Sequence, residues 1–173
     1  MNKLIQHLKV VHNHRKYVRK MCFKMGIPMR GLLHDISKYS IKELAISKYY
    51  NGTRSPHEVC RDELGYSPSW LYHKNRNKHH WEYWIDSFEK MNPMKMPYKY
   101  VIEMFCDRVA ACKIYNKEKY TDSDALNYFL RGRERYVMHK DADELLYKLL
   151  RMLSVKGEKY TFTYIRKKIL KNY

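Results

Sequence analysis

Two things are scarce in this 173-residue chain, paired cysteines and long apolar runs. The four cysteines, Cys22, Cys60, Cys106 and Cys112, form no CxxC pair. That spacing excludes a zinc ribbon and a dithiol redox motif, and it fits a reduced, cytoplasmic setting. No stretch is apolar enough to span a bilayer, so no membrane partner is expected. Residues 1 to 25 never run seven apolar residues together, so they do not read as a signal peptide. Strand signals are nearly absent, as are internal repeats and low-complexity linkers. Acid is missing from the first thirty residues, which carry eight Lys or Arg, and the whole chain has a formal charge of +17. Such an excess favours an anionic partner, with nucleic acid among the candidates. It equally serves to keep a Tyr- and Met-rich chain in solution.

What is present is helical periodicity. Leu4, Leu8, Val11, Val18, Met21, Cys22 and Met25 recur at helical spacing before Gly26 and Pro28. A second helix is expected from about Met29 to Tyr50, with a break near Tyr39-Ser40, and Asn51-Gly52 forms a turn after it. Ser55-Pro56-His57-Glu58 has capping-box spacing and starts a short helix to residue 64. Ser67-Pro68-Ser69 starts another, and a further helical stretch should run from Trp81 to Lys90. Pro97 opens a helix through Val101, Ile102, Phe105, Val109 and Ile114. Helices over about 122–138 and 141–156 follow, the second stopped by Gly157, and the tail from Tyr160 suits a basic helix better than an edge strand. The expectation is an all-α single domain of about six to eight helices over residues 1–173. Its body would be about 1–140, followed by C-terminal helices and a basic tail at 141–173.

The chemistry concentrates in a few places. Leu32-Leu33-His34-Asp35-Ile36-Ser37-Lys38 leads an apolar pair directly into a histidine, a carboxylate and a lysine, residues that seldom share a buried face without cause. On a continuous helix His34 and Lys38 would project from one side, with Asp35 about 100° away around the axis. A capped or salt-bridged helix explains that run as well as a metal site does. Helix one carries His7 and His14 on one face, with His12 turned aside, and either could be a ligand. His73, His79 and His80 gather in a segment flanked by Trp70, Trp81 and Trp84. Asp107 interrupts the apolar run Phe105-Cys106-Asp107-Arg108-Val109 and needs a partner, either Arg108 or a metal. Glu82 and Glu103 are candidates for orienting ligand histidines from behind.

Taken in order, His14, then His34-Asp35 with Lys38, then His73, His79 and His80, then Asp107 resembles the HD superfamily of metal-dependent phosphohydrolases. The HDxxK form with extra histidines is similar to subfamilies holding two or three metals, including the HD-GYP phosphodiesterases. After His79-His80-Trp81-Glu82, however, the GYP signature is missing, which removes the basis for cyclic-dinucleotide specificity. The segments GLLHDISKYS, RSPHE, LYHKNRNKHHWEYWIDSFEK and KMPYKYVIEMFCDRVAA look more like a small uncharacterised bacterial and phage family of HD type.

The resemblance implies an HD-type helical domain with one to three divalent ions. Iron or manganese would be favoured, and nickel, cobalt and zinc also suit such ligands. Asp35 would bridge two ions, His14, His34 and Asp107 would hold one, and His73, His79 and His80 the other. The implied reaction is phosphomonoester or phosphodiester hydrolysis by metal-activated water. Asp35 and Lys38 would be catalytic, Lys38 neutralising a phosphate oxygen, and Lys38, Arg76 and Lys78 would bind substrate. The substrate would be an anionic phosphate compound such as a nucleotide, cyclic nucleotide or oligonucleotide. Two other classes remain open, an HD-fold di-iron oxygenase and a non-catalytic basic nucleic-acid-binding protein. Metal content separates the first two from the third, and salt-dependent binding unaffected by chelator would mark the third.

Overall fold

The computed structural model describes residues 2–88 and 90–172. The fold is all-α. Among the described residues there are eight α-helices: α1 (Lys3–Met25), α2 (Pro28–Leu33), α3 (Ile41–Leu44), α4 (Pro56–Leu64), α5 (Pro68–Lys74), α6 (Tyr98–Asn116), α7 (Asp124–Gly132) and α8 (Lys140–Tyr164). Short 3-10 turns at Ile36–Tyr39, Ala45–Tyr49 and Trp81–Trp84 link some of them. One antiparallel pair of two-residue strands, β1 (Ile85–Asp86) and β2 (Asn92–Pro93), sets Ile85 opposite Pro93.

α1 forms because its apolar positions fall on one stripe: Val11, Val18, Met21, Cys22 and Met25 are all buried. The Asn2 side chain accepts from the Leu4 N–H at its start, and Gly26 closes it in a left-handed conformation (φ 92°). The next helix can press against it because Gly31 has no side chain; a Cβ there would stand 2.8 Å from the Cys22 Cβ. α6 is buried nearly all round, with Val101, Ile102, Phe105, Cys106, Val109 and Ala110 at no measurable exposure, which makes it the central helix. α1 packs along it, and this pairing brings His14 on α1 opposite Asp107 on α6.

The structure departs from the sequence expectations at four points. The segment from Met29 to Tyr50 is not one interrupted helix, since the chain breaks at His34-Asp35, where Asp35 is left-handed (φ 51°, ψ 29°), and continues in 3-10 turns. The Ser55 side chain makes no capping bond; its backbone carbonyl takes the Glu58 and Val59 N–H groups instead. The stretch from Trp81 gives one 3-10 turn and then extended backbone. The Trp84 indole donates to the Lys78 carbonyl and its backbone carbonyl accepts from Met94, which turns the chain into the strand pair. Glu89, within the helix expected there, lies outside the described residues. Finally, the core is not confined to residues 1–140. Leu146, Leu149, Leu150 and Leu153 of α8 are fully buried in the main core. After a kink at Gly157 (φ 74°, ψ 175°), Phe162 and Ile165 return to that core.

Candidate metal centre

The His-Asp doublet is presented by a broken helix. His34 ends α2 with extended ψ (125°), and Asp35 follows in the left-handed region, which aspartate tolerates better than most side chains. Arg15 of α1 ties off the break, donating from Nε to the His34 carbonyl (2.8 Å) and from Nη2 to the Leu32 carbonyl (3.0 Å). His34 and Lys38 therefore do not share a helical face. Lys38 instead turns back so that its Nζ lies 3.0 Å from Asp35 Oδ2.

Asp35 lies between two groups of side chains. On one side are His14, His34 and Asp107, and on the other His73, His79 and His80; with Asp35, each group offers four ligand atoms within 4.8 Å of one another. In the first group His14 Nε2 is 2.9 Å from Asp107 Oδ1, and His34 Nε2 is 3.5 Å from both Asp35 Oδ2 and Asp107 Oδ1. In the second, His73 Nε2 and His79 Nε2 are each 3.3 Å from Asp35 Oδ1, and His80 Nε2 is 2.9 Å from His73 Nε2. The two carboxylate oxygens of Asp35 thus face different groups.

The outer bonds set the tautomers. Glu103 Oε1 accepts from His34 Nδ1 (3.0 Å) and lies 3.2 Å from His79 Nδ1, while its Oε2 accepts from Arg30 Nε (2.6 Å). Glu43 Oε2 accepts from His73 Nδ1 (2.7 Å). With the Nδ1 protons of His34 and His73 directed at carboxylates, their Nε2 atoms face inward, the orientation in which a neutral imidazole binds a metal. His34, His79 and Glu103 also meet closely enough to suggest a third ligand group. The atoms in contact there are the Nδ1 positions already engaged with Glu103, so we read Glu103 as the support of two ligands. Glu103 thus lies behind His34 and His79, whereas its role towards a metal is an expectation. Glu43 was missed by sequence reasoning, although an acid inside Ile41-Lys42-Glu43-Leu44-Ala45-Ile46 carries the same signal as Asp107. Arg30, to which the sequence pattern assigns no particular role, holds Glu103.

The electrostatics call for positive charge at the centre. Burial would lower the pKa of His34, but Asp35, Asp107 and Glu103 outweigh it and push that imidazole up to about 10. Burial would raise Asp35, yet His34, Lys38, His73 and His79 hold its carboxyl well below the usual range. Glu103 is likewise brought down to about 2 against its burial, by its histidine bonds and Arg30. Both Asp35 oxygens and both ring nitrogens of His79 are buried without an aligned hydrogen bond. Facing Nε2 atoms 2.9 Å apart can share at most one proton. Unmatched buried groups of this kind are costly, and a divalent cation satisfies carboxylate and imidazole lone pairs together. The donor set fits a metal.

Residues 3–152 match the model of a family of unknown function, DUF5662. The chain belongs to this family. No curated protein and no solved structure matches it. The span matched to DUF5662 takes in every ligand candidate from His14 to Asp107, with Glu43 and Glu103 behind them.

A cleft of about 530 Å³ opens on this centre, reached by His14, Lys38, His73, His80 and Asp107. Its farther walls include Trp70, Trp81, Arg108, Tyr115 and Tyr136. His7 lines the cleft but is bonded to Ser47 Oγ (2.7 Å) outside both groups, so His14 is the helix-one residue that joins the centre. Of the three expected substrate-binding residues, only Lys38 is brought to the cleft. Arg76 lies over the Tyr72 ring and Lys78 over Tyr83, both exposed and away from the cleft wall. Glu82 supports none of the histidines; it lines the cleft, and burial pushes its carboxyl pKa up. Arg108 is not the partner of Asp107, which bonds to His14 instead. Among the described residues no helix is long and apolar enough to cross a membrane.

Proposed function

We propose that this protein is a metal-dependent phosphohydrolase of HD type, acting on a small phosphoester such as a nucleotide. One observation carries the reading: a single buried carboxylate, Asp35, turns its two oxygens to two separate sets of inward-pointing ligand atoms. His14, His34, Asp35 and Asp107 would hold one ion, and Asp35, His73, His79 and His80 the other. When bound, a pair of divalent ions supplies water with a pKa lowered from 15.7 to about 7 and a clamp on the attacking and leaving oxygens. Nitrogen and carboxylate donors together suit iron or manganese. Lys38, paired with Asp35 Oδ2 at the cleft, places a fixed positive charge where a phosphate oxygen would lie. Trp81 and Tyr136, with ring centroids 5.8 Å apart, give the cleft an apolar wall that limits water around the ester. The four free cysteines are in keeping with a cytoplasmic enzyme.

The test is metal analysis by mass spectrometry on protein purified without chelator or histidine tag. It is followed by phosphate release from a panel of mononucleotides after loading with Mn²⁺ or Fe²⁺. Bound metal in the wild type, its loss in Asp35→Asn, and metal-dependent phosphate release support the reading. Protein that takes up no metal overturns it, and iron-dependent oxygen consumption without phosphate release replaces it with an oxygenase.

A further inference from the structure

Among the described residues three side chains that line the cleft carry a buried polar atom without a hydrogen bond, Glu43 Oε1 behind His73 and, apart from the ligand groups, Arg108 Nε and Glu82 Oε2. Arg108 follows Asp107 on α6 and lines the same cleft, its side chain turned about 100° around the helix axis from that of Asp107. Its guanidinium lies over Tyr136 (5.0 Å) and Phe129 (5.6 Å), and Nη1 reaches the Tyr136 hydroxyl at 3.4 Å. Among the described residues no carboxylate stands within ion-pairing distance of it, whereas Arg30, Arg54 and Arg133 each have one. An aromatic cradle fixes the plane of the guanidinium and leaves its donors for something else. Glu82 sits on the 3-10 turn that follows His80, and it bonds to none of the ligand histidines.

We propose that Arg108 and Glu82 recognise the substrate, and that this substrate is a small phosphomonoester carrying a hydroxyl group, of sugar-phosphate or mononucleotide size. The proposal rests on the phosphohydrolase reading and adds to it the residues that select the molecule. A phosphate oxygen is an acceptor and completes Arg108 in a charge-assisted, geometrically defined bond. A hydroxyl both donates and accepts, so it pairs with the Glu82 carboxyl. A cleft of about 530 Å³ suits one such molecule. Arg76 and Lys78, away from the cleft, have no part in the selection.

The experiment is calorimetry on the full-length, Mn²⁺-loaded protein with inorganic phosphate, ribose 5-phosphate and n-pentyl phosphate, using KM wherever an ester is turned over. Wild type should prefer ribose 5-phosphate over pentyl phosphate by about tenfold, the value of one buried polar bond. Arg108→Lys, which keeps the charge and loses the fork, should weaken all three by about tenfold. Glu82→Ala should abolish the preference and leave inorganic phosphate unchanged. Wild type that binds none of the three overturns the phosphohydrolase reading and this proposal together. Phosphate bound equally by wild type and Arg108→Lys, or a preference for ribose 5-phosphate that survives Glu82→Ala, overturns the proposal alone. Should either variant fail to fold, the wild-type ratio still decides, because equal affinity for the two esters overturns the pairing with a hydroxyl.

Discussion

Glu103→Ala separates one coupled metal centre from two independent ones. In the native chain Glu103 Oε1 holds His34, which faces the first ligand group, and lies against His79, which faces the second. Removing an outer-shell partner of a ligand histidine typically lowers metal affinity 10- to 100-fold, about 1.4–2.8 kcal/mol. Because one carboxylate serves a ligand on each side, both ions should weaken by such a factor, and joint loading by roughly 10²–10⁴. The same substitution strands the Arg30 guanidinium, whose ion pair with Glu103 is buried on the glutamate side and partly exposed on the arginine side. Breaking a buried pair costs about 3–5 kcal/mol, and the access of Arg30 to water keeps this case near the lower figure. Competition titration against a chromophoric chelator reads both affinities, and urea unfolding of the metal-free protein reads the stability. Two ions bound within threefold of the wild-type affinities would refute the reasoning, and loss of one ion alone would assign Glu103 to a single site.

Glu43→Gln should weaken only the second ion, by about tenfold, since Glu43 touches His73 and no member of the first group; equal losses in a two-site titration would contradict this. Asp35→Asn should abolish loading of both ions with an unchanged far-ultraviolet circular dichroism spectrum, because asparagine accepts the left-handed backbone but not the bridging role; retained stoichiometry would refute the shared carboxylate. Burial, aided by Lys38 and His73, lowers the His57 pKa from 6.5 to about 2, so between those values the unfolded chain binds a proton that the native chain excludes. Stability is therefore full above pH 6.5 and falls as pH drops, by up to about 2 kcal/mol at pH 5; urea midpoints should fall less in His57→Gln, and parallel curves would exclude the effect. Leu149→Ala in α8 should cost about 2–5 kcal/mol, as for other fully buried leucines; a shift below 1 kcal/mol would mean that α8 is not part of the core.

The helices were legible where local chemistry decides them. α1, α4 and α5 carry a periodic apolar stripe or a proline start, together with a glycine stop or a capping serine, and each of these acts within a few residues. The ligand candidates were legible for a related reason, as ionisable side chains set into apolar or aromatic surroundings. Glu43 and the true task of Arg30 were not, because each is defined by a partner far along the chain, His73 thirty residues away and Glu103 seventy-three. The stretch after Trp84 read as helix because its apolar residues keep helical spacing. Its course is set by the bonds from the Trp84 indole to Lys78 and from Met94 to the Trp84 carbonyl, which no periodicity encodes.

The break at Asp35 is the feature that joins fold to chemistry. On an unbroken helix His34 and Asp35 would diverge by about 100°, and one carboxylate could not face ligands from α1 and α6 on one side and from the 73–80 segment on the other. The left-handed turn makes that placement available, at a conformational cost of order 1 kcal/mol. Arg15 holds the turn through two carbonyls, Gly31 lets α2 lie close enough to α1 to bring His34 to His14, and Lys38 folds back onto the carboxylate. A chain selected for stability alone would gain by replacing this largely buried set of five histidines and two aspartates with packed apolar side chains. The strain and the buried polarity converge on the same few atoms, those whose donor set fits a metal.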